Sequence, residues 1–218
     1  MWILPSRSRP QNLIRFFEHW KTTGANTPGV VVLDRDDPEL DGYRKVVIPS
    51  AWSLILIEPI GLGPTFNQVF ESWPNNSWYG MLADDVIPRT YEWDKILVEA
   101  AGTDGVSYAD DGINGEKQVT HCVLGGDFVR SLGWLCLPGL KRVYIDNVIT
   151  EIARDSGVLR YCGNVSLEHM HFSNQKSPMD KTYEKPDARM DQAIYEEWRS
   201  KRLRDITQKL DYVELGAC

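Results

Sequence analysis

The sequence predicts an α/β protein: a sandwich of helices around a largely parallel sheet. Three observations lead there. Apolar, β-branched runs alternate with amphipathic helical stretches through the first half of the chain. Acidic and polar loops follow the strand candidates, where the ligand crevice of such sheets lies. The 218 residues give room for one large domain or two small ones. There is no internal repeat and no low-complexity linker.

The elements follow in order. "WILP" from Trp2 is a short buried strand that runs into the polar loop "PSRSRP". "QNLIRFFEHWKTTG" places Leu13, Phe16, Phe17 and Trp20 on one helical stripe, with Gly24 as its stop. "GVVVLDRDDP" is a second strand closed by acids and a proline. "RKVVIP" and "SLILIEP" read as further short extended segments, the second alternatively opening a helix. "GPTFNQVFESWP" is a helix with Phe66, Val69 and Phe70 inward. A strand ending at Ala83-Asp84-Asp85 precedes a helix expected from about Pro88 to Ala101. Strands "GVSYA" and "QVTHCVLGG", a helix through "DFVRSLGWL", a helix "DNVITEIARDSG" with Ile149 and Ile152 inward, and a strand "VLRYCGNVSLEHMH" follow. A last helix is expected from about Ala188 to Leu210.

Bulk properties exclude several classes. With 42% apolar and 25% charged residues the chain is globular rather than disordered. No apolar run approaches the ~20 residues that span a bilayer, and the amino-terminal residues read as a strand rather than a leader. Cys122, Cys136, Cys162 and Cys218 lack the CxxC spacing of a zinc knuckle, so a reducing cytoplasm is the expected compartment. A net charge of −7 argues against a surface covered in phosphate contacts. The basic stretch Arg199–Lys209 is either a local groove or the solvated face of the terminal helix.

Asp84 and Asp85 pose the main question of the sequence. Adjacent carboxylates repel each other and resist burial. Helix capping is one account, since Pro88 suits a first helical position, but the cap would then fall at Ile87, downstream of both acids. The other account is a strand-end carboxylate holding Mg2+ or Mn2+, whose charge relieves the repulsion and attracts a diphosphate.

Taken together, the strand into "PSRSRP", the strand ending "LDRDDP", the strand ending "LADDV", the helix "YIDNVITEIARDSG" and the segment "LEHMHF" resemble the nucleotide-sugar glycosyltransferases of the GT-A fold. The likeness is to family 2-like members of the compact type that bacteriophages encode, and it runs from about residue 2 to 185. It implies a three-layer α/β/α sandwich with a mostly parallel, mixed sheet. Residues 1–100 would form a nucleotide-sugar half, 101–187 an acceptor half, and 188–218 a terminal helix and tail. Two departures stand out: Ala83 replaces the first acid of the DXD motif, and Ile145-Asp146 keeps only the second acid of the usual pair.

The resemblance assigns roles residue by residue. Pro5, Ser6, Arg7 and Arg9 form the loop over the nucleotide, where the arginine fork suits a diphosphate. Asp34 meets the uracil or ribose. Asp36 either contributes or belongs to the turn "RDDP". Asn67 is a weaker donor contact, and Asp84 reaches the donor ribose or sugar. Asp85 is the main metal ligand. His169 and His171, two apart and so on one side of an extended strand, supply one ligand and one neighbour, with His171 slightly preferred. Lys176 and Tyr183 sit in the loop that closes over the donor. Asp146 is the general base, or the N-cap of its helix, or both. Gly125, Gly126 and Asp127 line the acceptor side, with Asp127 alternatively capping the next helix. Asp110 and Asp111 form a turn into Gly112 or an acceptor rim. Trp52, Trp73, Trp78, Trp93 and Trp134 are core or stacking platforms.

The expected function is therefore inverting, metal-dependent transfer of a sugar from a UDP-sugar to an acceptor hydroxyl. The acceptor is a hydroxymethylated pyrimidine in phage DNA, met in the host cytoplasm, or else a saccharide or protein in surface-glycan assembly. A nucleotidyltransferase shares the strand-end acids, but its first loop normally carries glycine and "PSRSRP" has none. A non-catalytic sugar-nucleotide binding module is the third reading, favoured by Ala83.

Overall fold

The computed structural model describes residues 1–179 and 188–215, with side chains of the last helix as far as Arg202. The strands are β1 (Trp2–Ser6), β2 (Gly29–Asp34), β3 (Trp52–Ile57), β4 (Trp78–Met81), β5 (Val86–Pro88), β6 (Val106–Asp110), β7 (Cys122–Gly125) and β8 (Leu159–His169). The helices are α1 (Pro10–Thr22), α2 (Leu40–Tyr43), α3 (Leu62–Ser72), α4 (Trp93–Ala101), α5 (Gly126–Leu132), α6 (Ile145–Asp155) and α7 (Ala188–Leu215).

The sheet order is β3-β2-β1-β4-β7-β6-β8-β5. Strands β1 to β4 pair in parallel, as do β6 and β8, whereas β7 and β5 run against their neighbours. The predicted mixed, mostly parallel sheet is thus present. Its central strands are apolar on both faces because both faces are covered. Trp2, Leu4, Val31 and Leu33 pack with Leu13, Phe16, Trp93 and Leu97 of α1 and α4. Ile3, Val30 and Val32 belong to the opposite layer with Phe66, Val69, Val148 and Ile149 of α3 and α6. Gly80 pairs with Trp2 in register, and a Cβ there would stand 2.0 Å from the indole ring.

Three sequence expectations need correction. "RKVVIP" is not a strand: α2 ends just before it, β3 occupies the sheet edge, and Val47 is left 86% exposed. The helix expected from Pro88 begins at Trp93, because Val86–Pro88 pairs antiparallel with Leu167–His169. Pro88 is tolerated there because β5 lies at the sheet's edge. Finally, Asp146 is the second residue of α6 rather than its cap, a place taken by Tyr144 in a left-handed conformation (φ 66°).

Candidate active site

The first loop is held open by groups from later in the chain. Ser8 turns through a left-handed conformation (φ 57°) and donates its N–H to Asp37 Oδ2 at 2.8 Å. Tyr43 Oη accepts from Arg9 N at 3.0 Å and shares a 2.7 Å hydrogen bond with Ser6 Oγ. Arg7 donates to Asp34 at 2.8 Å and to Asp36 at 2.5 Å. Of the two acids in "RDDP", Asp37 is the one buried in the turn, and Asp36 faces outward to Arg7.

Beyond β4 the chain bends at Asp84-Asp85 before β5, so both acids sit where β1 also ends. They are 6% and 5% exposed, and their environments differ. Asp84 accepts from Ser6 Oγ at 2.6 Å, while Arg9 Nη1 lies 3.4 Å from Asp84 and 3.5 Å from Asp85. His169 Nε2, at the end of β8, is 3.4 Å from Asp85 Oδ1. Burial, and then the charge of Asp85, push Asp84 up to about 6 against the pull of Ser6 and Arg9. Burial also opposes ionisation of Asp85, but the hydrogen bond and charge of His169, with Arg9 beside it, outweigh it and hold that carboxyl below its usual range. For His169, too, burial works against the charged form, and the hydrogen bond and charge of Asp85 win, raising its pKa. The two neighbouring acids are thus pushed in opposite directions, Asp84 up and Asp85 down.

Three imidazoles gather beside Asp85. The His171 ring is 5.1 Å from that of His169, and its Nδ1 shares a 2.7 Å hydrogen bond with Ser173. His121, which sequence reasoning passed over, stands edge-on to His169 at 4.8 Å. Burial pushes His121 down to about 3, so it is neutral. Its Nε2 and His169 Nδ1 are buried without a hydrogen-bond partner among the described residues. His121 gave no motif signal; its strained φ of 45° and its neighbours are set by the fold.

Two cavities meet at this point. One of about 700 Å3 is lined by Pro5, Ser6, Arg7, Arg9, Asp34 and both acids. The other, about 540 Å3, is lined by His121, His169, Asp146, Asn147, Arg189 and Gln192. Leu62, Leu82, Ala83 and Arg142 line both. Arg142 is set by α7: the buried Asp191 carboxylate accepts the N–H groups of Lys141, Arg142 and Val143, each at 2.8 Å.

The structure therefore brings Pro5, Ser6, Arg7, Arg9, Asp34, Asp84, Asp85, Asp146 and His169 together. Asp36 faces Arg7 at the rim of this group and His171 stands beside His169, whereas the remaining predicted residues lie elsewhere. Asn67 turns inward, accepting from Leu135 N and Cys136 N and donating to Cys136 O. Gly125, Gly126 and Asp127 lie at the opposite end of the sheet, because β7 runs antiparallel to β4 and Gly126 N binds Ser77 O. Lys176 is paired with Glu168 at 2.5 Å. Tyr183 lies outside the described residues. Asp110 and Asp111 form a turn, Asp110 accepting from Gly112 N and Asp111 from Ile113 N and Asn114 N. No tryptophan lines either cavity; Trp52 and Trp93 are core.

For a divalent cation, Asp85 Oδ1 and His169 Nε2 offer neighbouring ligands at a plausible 3.4 Å spacing. A carboxylate with an imidazole suits Mn2+ better than an all-oxygen cation such as Mg2+. Among the described residues, no three His, Cys, Asp or Glu side chains are already placed around one point. No described helix is long and apolar enough to cross a membrane.

No family model matches the chain, and no curated protein matches its sequence. Solved structures do match in fold. S. aureus TarS superposes with a TM-score of 0.56 at 12% identity over 76% of this chain. HddC from Yersinia pseudotuberculosis gives 0.52 at 11% identity, covering 78% of this chain and 92% of that one. A nucleotidyl transferase from Methanothermobacter gives 0.52 at 11%, covering 78% and 87%. The chain spans 35% of the length of TarS. What these structures share with the chain is the fold, an α/β sandwich around a mixed, mostly parallel sheet.

Proposed function

We propose that the chain is a metal-dependent glycosyltransferase that moves a sugar from a UDP-sugar donor to an acceptor hydroxyl. One observation carries the reading: two cavities, one rimmed by arginines and holding Asp84-Asp85, the other holding Asp146, meet at Leu62, Leu82, Ala83 and Arg142. Residues 1–100 would supply the donor half and 101–187 the acceptor half.

In this reading Asp34 accepts from the uracil or ribose, and Arg7 and Arg9 give charge-assisted hydrogen bonds to the diphosphate. Asp85 and His169 would hold Mn2+ or Mg2+, with His171 beside them, and the ion would supply positive charge against the leaving diphosphate. Asp84 accepts from a hydroxyl of the donor ribose or sugar. Asp146 takes the proton of the acceptor hydroxyl as that oxygen attacks the anomeric carbon. The bond to the diphosphate breaks on the opposite face, so the sugar inverts. Arg142, shared by both cavities, steadies the charge that develops between them.

The fold neighbours support a transferase handling nucleotides, and the lack of glycine in "PSRSRP" supports sugar transfer over nucleotidyl transfer. For the acceptor, a saccharide is the better fit than DNA. Arg199 and Arg202, which would have to track phosphates, are paired with Glu151 and Asp155 instead. The test is UDP release from UDP-hexoses with Mn2+, in wild type, Asp85→Ala and Asp146→Asn. Release should vanish in Asp85→Ala, whereas Asp146→Asn should bind UDP normally and transfer about 10²–10⁴-fold more slowly. Pyrophosphate release from UTP and a sugar phosphate would instead make the chain a nucleotidyltransferase. A retained anomeric configuration would remove Asp146 from its role.

A further inference from the structure

Charge on the acids of the site is balanced from inside the protein before any ligand arrives, and Arg9, one of the residues that balance it, also lines the donor cavity. Arg9 Nη1 stands 3.4 Å from Asp84 Oδ1 and 3.5 Å from Asp85 Oδ2, with 12% of its side chain exposed. These contacts are longer than the 2.7–2.9 Å of a strong charge-assisted hydrogen bond. The guanidinium therefore balances charge across both carboxylates without closing a tight fork on either. Its backbone is pinned by Tyr43, so an exchange would involve the side chain alone. Asp85 presents its other oxygen, Oδ1, to His169. A cation entering beside His169 would meet Arg9 across the same carboxylate, and two positive groups sharing that pair repel each other.

We propose that Arg9 is a built-in counter-ion that trades places with the divalent cation. It balances Asp84-Asp85 in the resting protein, and when a cation binds at Asp85 it turns to the diphosphate of the donor. This rests on the metal-dependent reading above and adds an order to it. Cation entry prepares the arginine for the nucleotide, and the nucleotide, by drawing Arg9 away, strengthens the grip on the cation. Such coupling is reciprocal by linkage. Arg7, on the same loop, takes no part in the exchange, since it lies on Asp34 and Asp36 rather than on Asp84-Asp85.

Calorimetric titrations with MnCl2 alone, and with UDP in the presence of Mn2+, test the exchange without turnover. In Arg9→Gln the affinity for Mn2+ alone should rise roughly tenfold, and that for UDP should fall roughly tenfold, both within the usual size of coupling between sites. In Arg7→Gln, Mn2+ affinity should stay as in wild type while UDP weakens. Arg9→Met, which keeps the apolar stem, replaces Arg9→Gln if the latter does not fold. Unchanged or weaker Mn2+ binding in the Arg9 variant, with wild type binding both ligands, overturns the exchange and leaves the transferase reading standing. Failure of wild type to bind UDP with Mn2+ overturns both.

Discussion

Replacing Asp191 by Ala should cost about 3 kcal/mol of stability, although the residue sits in α7, some 50 positions from the backbone it holds. Its carboxylate is 0% exposed and accepts three backbone N–H groups from Lys141 to Val143. A hydrogen bond to a charged group contributes about 1.5–3 kcal/mol net. Arg142 is exposed and its neighbours are half-buried, so water can replace part of each bond in the variant, leaving about 1 kcal/mol per bond. For a chain of this length each kcal/mol shifts the melting temperature by about 2–4 °C, so a fall of about 6–12 °C is expected. Urea titration followed by circular dichroism should show a lower midpoint at constant slope. Amide exchange at residues 141–143 should speed up. Asp191→Asn, which retains one acceptor oxygen, should lose about half as much. A loss below about 1 kcal/mol in Asp191→Ala, or an Asn variant as damaged as the Ala variant, would refute the reasoning.

Other outcomes can be checked with similar assays. Tyr43→Phe removes the phenol that ties Ser6 to Arg9 and should cost about 1–2 kcal/mol, with UDP binding weakened as the first loop slackens; unaltered binding would show that the loop holds without it. His121 is depressed to about 3 in the fold, so its contribution is fully present above the unfolded value of about 6.5 and is lost as pH falls towards 3. His121→Phe should therefore remove up to about 1.4 kcal/mol per pH unit from the acid sensitivity of stability between pH 6 and 4, and parallel curves for wild type and variant would contradict its burial as a neutral group. Asp84 acts in the opposite sense, being raised to about 6, and its stabilising effect declines as pH climbs from about 4 to 6. Cys122 and Cys136 are buried and their thiols are pushed up by that burial, so site-resolved alkylation of the native protein should leave both unlabelled.

How far the sequence can be read depends on how far away each residue's partner lies. The apolar runs of β1 and β2 and the stripe Leu13, Phe16, Phe17, Trp20 announced themselves because local period and burial agree. The same logic failed for Pro88, where a helix-start residue is recruited by β8, some 80 positions later, into a sheet edge. Asp84 and Asp85 were conspicuous as an unfavourable dipeptide, but what relieves them was not. Arg9 and His169 come from 75 and 84 positions away. Tyr43, His121 and Asp191 have no local signature at all, since each matters only through a backbone group or ring brought to it by the finished fold. Gly125-Gly126-Asp127 misled for a directional reason: a strand's sequence does not say which way it runs, and β7 runs backwards.

That reversal has a practical use. The turn from β7 into α5 opens on the rim farthest from Asp85, and Asp127 there is solvent-exposed. A tether or dye planted at that spot would leave both mouths of the crevice facing the bulk. Immobilised through it, the molecule could be offered nucleotides and cations in turn on a sensor surface, with the chemistry pointing away from the support.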